Sequence, residues 1–214
     1  MKHLLFIGDS ITDAGRRPYF GCDLGQGYVT MIAHELFNIY SEPIQITNRG
    51  IGGDRLADMK HRWQHHALDQ PYDLISIAIG INDIWHRLSE GLTMNQSILE
   101  QFEMNYRSIL QQTIDHSPST QFVLMGVYVL PYPDKRQTWL PYVQEMNQRI
   151  QNLAHEFAAP YVDLQAAMTE AYHKVPVETL VAADGIHPKT YGQHILANAW
   201  LHSVNVKDFI NIHK

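Results

Sequence analysis

Five short, apolar, β-prone runs recur along this chain with longer segments of helical periodicity between them, and this alternation restricts the fold more than any other feature. The runs are HLLFIG (3 to 8), IQIT (44 to 47), DLISIAIG (73 to 80), QFVLMGVYVL (121 to 130) and PYVDL (160 to 164). Near-continuous apolarity marks strands covered on both faces, the condition of a parallel sheet. The flanking Gly and Pro favour strands over short buried helices. Between the runs, Leu56, Met59, Trp63 and Ala67 fall at helical spacing, as do Leu99, Phe102, Tyr106 and Ile109, and then Val143, Met146, Ile150, Leu153 and Phe157. Each set is one apolar stripe with polar residues opposite, the pattern of a helix laid on a sheet, which assigns Trp63 to the core. A last helix is expected from about Thr190 to about Val204. The economical architecture is α/β: three layers, α/β/α, around a five-stranded, mostly parallel sheet with right-handed crossovers.

With 214 residues, the chain is long enough to bury roughly 70% of its unfolded surface in one core. No solenoid-period repeat, low-complexity tract or linker divides it, so residues 1–214 read as a single domain. A net charge of -6 with no cluster of Lys and Arg argues against nucleic acid as a partner. Cys22, the lone cysteine, allows neither an intrachain disulfide nor a thiolate metal cluster and reads as an inert thiol. The apolar stretch Leu4 to Ile7 is too short for a signal-peptide core or a membrane span, so the expectation is a cytoplasmic protein without membrane attachment.

In an open parallel sheet, ligands bind beyond the carboxyl ends of the strands, and polar residues collect there. GDSITD (8 to 13) follows the first run, NRGIGGDR (48 to 55) the second and GINDIW (80 to 85) the third, while DGIHP (184 to 188) precedes the last helix. Acyl transfer needs a hydroxyl nucleophile, an imidazole to take its proton, a group to orient that imidazole, and donors for the developing oxyanion. Ser10 can supply the hydroxyl and His187 the base. Asp184, three positions earlier, can reach the imidazole within one turn or tight loop. The glycines of GIGGD, the amide of Ser10 and the side-chain amide of Asn82 are candidate oxyanion donors. Taken alone, GDS is a strand-ending turn and DxxH a helix cap before a surface histidine; four such blocks together carry the catalytic reading.

Other motifs carry less. His61 and His65 stand at i,i+4 with His66 adjacent, but no HExxH pattern is present, so no metal is expected there. GQGYVT (25 to 30) lacks the last glycine of a dinucleotide fingerprint and follows no strand run. Trp85, Tyr132 and Trp139 fall in or near the polar loops, where their rings could stack on a sugar or form a lid over the core.

The four ordered blocks resemble those of the GDSL or SGNH family of serine esterases and lipases, and they span residues 8 to 188. The resemblance implies a flavodoxin-like SGNH-hydrolase fold with Ser10 as nucleophile, His187 as base, Asp184 as its partner, and Ser10, Gly53 and Asn82 as oxyanion donors. Gly53 is placed by aligning Asn48 with the asparagine that opens the family's second block. LGQGYV (24 to 29), NRGIGGDR, the Arg62-Trp63 pair and GINDIW together are similar to the branch of intracellular acetylxylan and other carbohydrate acetyl esterases. This branch implies removal of a short acyl group from a small acylated substrate, a sugar or oligosaccharide, with no metal or organic cofactor. Three rivals follow from the same residues: an acyltransferase, a metal-dependent phosphoesterase using Asp9, Asp83, Asp184 and His187, and a flavodoxin-like binding module without chemistry. Exposed aromatics also suggest a homo-oligomer.

Overall fold

The computed structural model describes residues 1–18, 23–40 and 43–206; Cys22 lies outside them. Five strands form one sheet in the order β2-β1-β3-β4-β5: β1 (Lys2–Gly8), β2 (Ile44–Gly50), β3 (Leu74–Ala78), β4 (Gln121–Met125) and β5 (Tyr161–Val162). All four pairings are parallel. β1 lies between β2 and β3 with Gly8 opposite both Gly50 and Ala78, so the first three polar loops leave the sheet side by side.

Both faces are covered, as the apolar runs require. The helices are α1 (Ser10–Asp13), α2 (Tyr28–Ile39), α3 (Leu56–His61), α4 (Ile81–Ser89), α5 (Gln96–His116), α6 (Leu140–Glu156), α7 (Leu164–Tyr172), α8 (Val177–Leu180) and α9 (Thr190–Ser203). One layer groups α2, α7, α8 and α9; the other groups α3, α4, α5 and α6. The expected stripes are buried: Leu56, Met59, Trp63 and Ala67 in one segment, Leu99, Phe102, Tyr106 and Ile109 in α5, and Val143, Met146, Ile150 and Leu153 in α6. Phe157 lies just past α6 and is only partly covered. The segment after α3 is not a continuous α-helix, because a π-helical turn at Gln64–Leu68 interrupts it.

Three strands are shorter than their apolar runs, β3 ending at Ala78 and β4 and β5 stopping about halfway. Residues 127–130 are buried and β-prone, yet the ladder stops at Met125. Side chains take over the hydrogen bonding. Asn147 accepts from the Val127 N–H and donates to its carbonyl, both at 2.8 Å, and Gln165 does the same for Val129 at 3.0 and 3.2 Å. A buried backbone group must be paired, but not by a neighbouring strand. The PYVDL run supplies only Tyr161 and Val162 to the sheet, because Asp163 caps α7 through the Ala166 N–H.

Sheet and helix layers are also joined by a polar contact in the core. The indole N–H of Trp200 in α9 donates at 3.0 Å to Ser76 Oγ in the middle of β3, and both residues are fully buried. Ser76→Ala would leave that N–H without a partner. The substitution is expected to cost about 1–3 kcal/mol in urea unfolding, with a lower midpoint and an unchanged slope; an unaltered midpoint would contradict it.

Candidate active site

Ser10 is placed by a tight turn at the end of β1. A Cβ on Gly8 would lie 2.2 Å from the Ala78 carbonyl oxygen and 2.5 Å from Thr12 Oγ1, so only glycine passes here. Asp9 then caps α1, its carboxylate accepting the Ile11 N–H at 2.9 Å. Ser10 opens this single turn, which ends where Ala14 enters the left-handed region.

The second loop lies against the first. Asn48 donates to the carbonyls of Thr12 (2.7 Å) and Leu24 (2.8 Å) and accepts from the Gly50 N–H at 2.8 Å. Arg62 reaches two strand ends and the loop beyond them: the Gly8 carbonyl (3.0 Å), the Arg49 carbonyl (2.8 Å) and the Asp54 carboxylate (2.7 Å). The Gly52 N–H donates to Asp13 at 3.3 Å, and a Cβ on Gly52 would stand 3.8 Å from that of Ser10. Gly53, at φ +84°, adopts a conformation that favours glycine and faces open space. Asn82, in the first turn of α4, is buried and donates one amide hydrogen to the Asp54 carbonyl at 3.0 Å. Its second amide hydrogen remains for another acceptor.

The fourth block completes a hydrogen-bonded chain. Ser10 Oγ lies 2.9 Å from His187 Nε2, and His187 Nδ1 lies 2.7 Å from Asp184 Oδ2. The other Asp184 oxygen accepts from the N–H groups of Ile186 and His187, each at 2.9 Å. Partial burial opposes the Asp184 charge, but the bonds from the His187 ring and these two amides outweigh it, and its pKa falls below the ordinary carboxylate range. An ionised Asp184 holds the His187 proton on Nδ1 and leaves Nε2 to accept from Ser10. The arrangement is chemically competent to deprotonate a serine.

The loop aromatics divide. Trp85 is half-buried, its ring centroid 5.8 Å from that of His187. Trp139 is 7% exposed and meets Trp85 edge-on at 6.0 Å, which makes it the back of a wall rather than an open platform for a sugar. The Tyr132 side chain packs on the core, and the residue meets the site through its backbone. Sequence reasoning missed Arg136. Its guanidinium stands 3.8 Å from the Trp139 ring centroid and 4.5 Å from that of Trp85, and its Nε donates to the Asp184 carbonyl at 2.8 Å. A single arginine in a polar loop gives no sequence signal for this; only the tryptophan nearby hints at it.

The residues named for a metal-dependent phosphoesterase do not form a cluster. Asp9 is turned to the Ile11 N–H, Asp83 to the Leu56 N–H (3.0 Å) and Asp184 to His187. Among the described residues, no group of three or more His, Cys, Asp or Glu is placed to hold a metal ion. His65 pairs with Asp69 and His66 with Arg62. Likewise, no helix among the described residues is long and apolar enough to cross a membrane.

Residues 6–195 match the GDSL-like lipase/acylhydrolase family. The chain is 34% identical over 210 residues to an acetylxylan esterase of Geobacillus stearothermophilus, covering 95% of this chain and 94% of the relative. A solved structure of an acetylxylan esterase from that organism superposes with a TM-score of 0.83 at 31% identity, covering 95% and 94% of the two chains. Other structures of it are catalytic mutants in which a serine, an aspartate or a histidine is replaced by alanine. A GDSL-like protein of Parabacteroides merdae superposes with a TM-score of 0.86 at 32% identity, covering 94% of each chain.

Burial pushes the Asp83 carboxyl up to about 7, against the opposing Leu56 N–H and Arg55 charge. Folded, it therefore holds its proton to about pH 7; unfolded, only to about 3.9. The fold binds the extra proton between those values, so this group costs stability as pH rises through that window. Asp83→Asn keeps an oxygen for the Leu56 N–H and removes the charge. Its thermal midpoint relative to the parent should climb between pH 5 and about pH 7 and level off above, and a constant offset from pH 5 to 8.5 would contradict the burial argument.

Proposed function

The chain belongs to the GDSL-like lipase/acylhydrolase family, and from that premise we propose a serine esterase that removes acetyl and other short acyl groups from a sugar or oligosaccharide. It is a carboxylic ester hydrolase. Ser10 Oγ attacks the ester carbonyl while His187 Nε2 takes its proton, and Asp184 stabilises the imidazolium. The amides of Ser10 and Gly53 and the Asn82 side chain hold the oxyanion. When the tetrahedral intermediate collapses, the C–O bond to the alcohol breaks and His187 returns the proton to that oxygen. Water, deprotonated by the same imidazole, then attacks the acyl-serine, releasing the acid and restoring the Ser10 hydroxyl.

The single observation that carries this assignment is the unbroken chain Ser10–His187–Asp184, at 2.9 and 2.7 Å. The sugar acceptor is supported by similarity to an acetylxylan esterase and by an open site: the His187 side chain is 43% exposed and Trp85 is partly exposed beside it. Loops from residue 8 to residue 187 build one site, which supports reading the chain as one domain. A cytoplasmic location belongs to the same reading.

Ser10→Ala is expected to abolish turnover of p-nitrophenyl acetate and of acetylated xylo-oligosaccharides with thermal unfolding nearly unchanged. Substantial residual activity would move the nucleophile elsewhere. Asn82→Ala should lower kcat by about 10²- to 10³-fold with a smaller change in KM, because its donor acts mainly on the transition state. A loss confined to KM would contradict that role.

A further inference from the structure

We propose that Arg136 is a positioning residue that fixes Asp184 against His187, an inference that rests on the esterase reading above. The loop carrying both residues is held through its carbonyls, one after another. The Asp184 carbonyl accepts from Arg136 Nε at 2.8 Å, that of Gly185 from the Leu130 N–H at 3.1 Å, that of Ile186 from the Tyr128 hydroxyl, and that of His187 from the Ala182 N–H at 2.8 Å. Three of the four donors lie in the segment after β4. Gly185 closes the contact, since a Cβ there would overlap the Tyr132 carbonyl oxygen.

Arg136 is the one charged donor of the four, and charge-assisted hydrogen bonds are about twice as strong as neutral ones. It pins the peptide of the residue whose carboxylate orients the imidazole. Its placement is itself rigid: the residue is 6% exposed and its guanidinium lies against the rings of Trp85 and Trp139. Aromatic faces attract a cation and limit its freedom. Trp85 neighbours His187 as well. Arg136, Trp85, His187 and Asp184 therefore close a ring of contacts, in which the arginine fixes the backbone of Asp184 and one tryptophan flanks both the arginine and the imidazole. Arg136 acts through Asp184 and is not assigned a contact with substrate.

Three variants test this. Arg136→Met fills much of the space between the rings but offers neither a donor nor a charge. It should lower kcat for p-nitrophenyl acetate by about 10- to 100-fold, the usual cost of a small misplacement of catalytic groups, with KM within about twofold. The low-field proton resonance of His187 Nδ1–H, which reports its bond to Asp184, should weaken or move upfield. Arg136→Lys keeps a cationic donor and should recover part of both signals. Should the methionine variant not fold, Arg136→Gln, shorter and uncharged, carries the same two readouts. An unchanged resonance, a kcat near wild type, a loss confined to KM, or a lysine variant no better than the methionine one would each overturn the proposal. The resonance is read without turnover, so a failure of the esterase assignment, seen as activity persisting in Ser10→Ala, remains distinguishable from a failure of this one.

Discussion

The hydrogen bond between Ser10 and His187 joins residues 177 positions apart, and the molecule is organised around making that contact cheap. Closing a flexible loop of that length costs about 4–5 kcal/mol in chain entropy, whereas one hydrogen bond returns about 1 kcal/mol net. The contact cannot assemble the site; the site must already be assembled when the contact forms. Burial of the five apolar runs under two helix layers does that work, with the β1–β2–β3 pairing delivering three of the four polar loops to one edge. The fourth arrives along α8 and α9, where Lys189 N–H binds the Leu180 carbonyl and the segment around Val181 bridges Pro188.

Within the site, short elements are held by groups that take no part in bond making. A four-residue helix such as α1 does not persist on its own hydrogen bonds. Around it, Asp9 caps the start, Thr12 Oγ1 meets the Tyr28 hydroxyl at 2.9 Å, and Asn48 binds the Thr12 carbonyl. Capping from a buried position has an electrostatic cost. Burial lifts Asp9 to about 7, as it does Asp83, despite the Ile11 amide and the neighbouring His187. Asp184 goes the other way because its donors are a ring N–H and two amides. Three aspartates in motif blocks thus part into two that anchor loops and one kept ionised beside the imidazole.

Much of this was legible in the sequence, and the exceptions have physical causes. The parallel sheet could be read because a strand covered on both faces has no polar alternation to hide it. The end of β4 could not, since Val127 to Leu130 are as apolar as the strand itself, and Asn147, Gln165 and the Gly185 carbonyl, all distant in sequence, give their backbone other partners. Ser10, Asp184 and His187 could be nominated because acyl transfer demands those residue types, Ser10 in a block after the first strand and the other two in a block before the last helix. The fold joins the three in one hydrogen-bonded chain. Trp139 was noticed as an aromatic near the site, but the sequence does not show that it is buried with Arg136 and Trp85 packed against it. Arg136 itself was invisible: a cation in a polar loop is ordinarily solvated, and only the fold reveals that this one is enclosed.

That enclosure changes how the aromatic wall should be understood. A tryptophan face can bind a sugar ring or a guanidinium, but the same area cannot serve both. At Trp139 the guanidinium is close and little surface remains exposed, so the ring's contribution is to hold Arg136 still. Trp85 is less covered and stands between Arg136 and His187, leaving part of its surface toward solvent. Trp139 is thereby left to hold the guanidinium alone, whereas Trp85 flanks both the guanidinium and the imidazole.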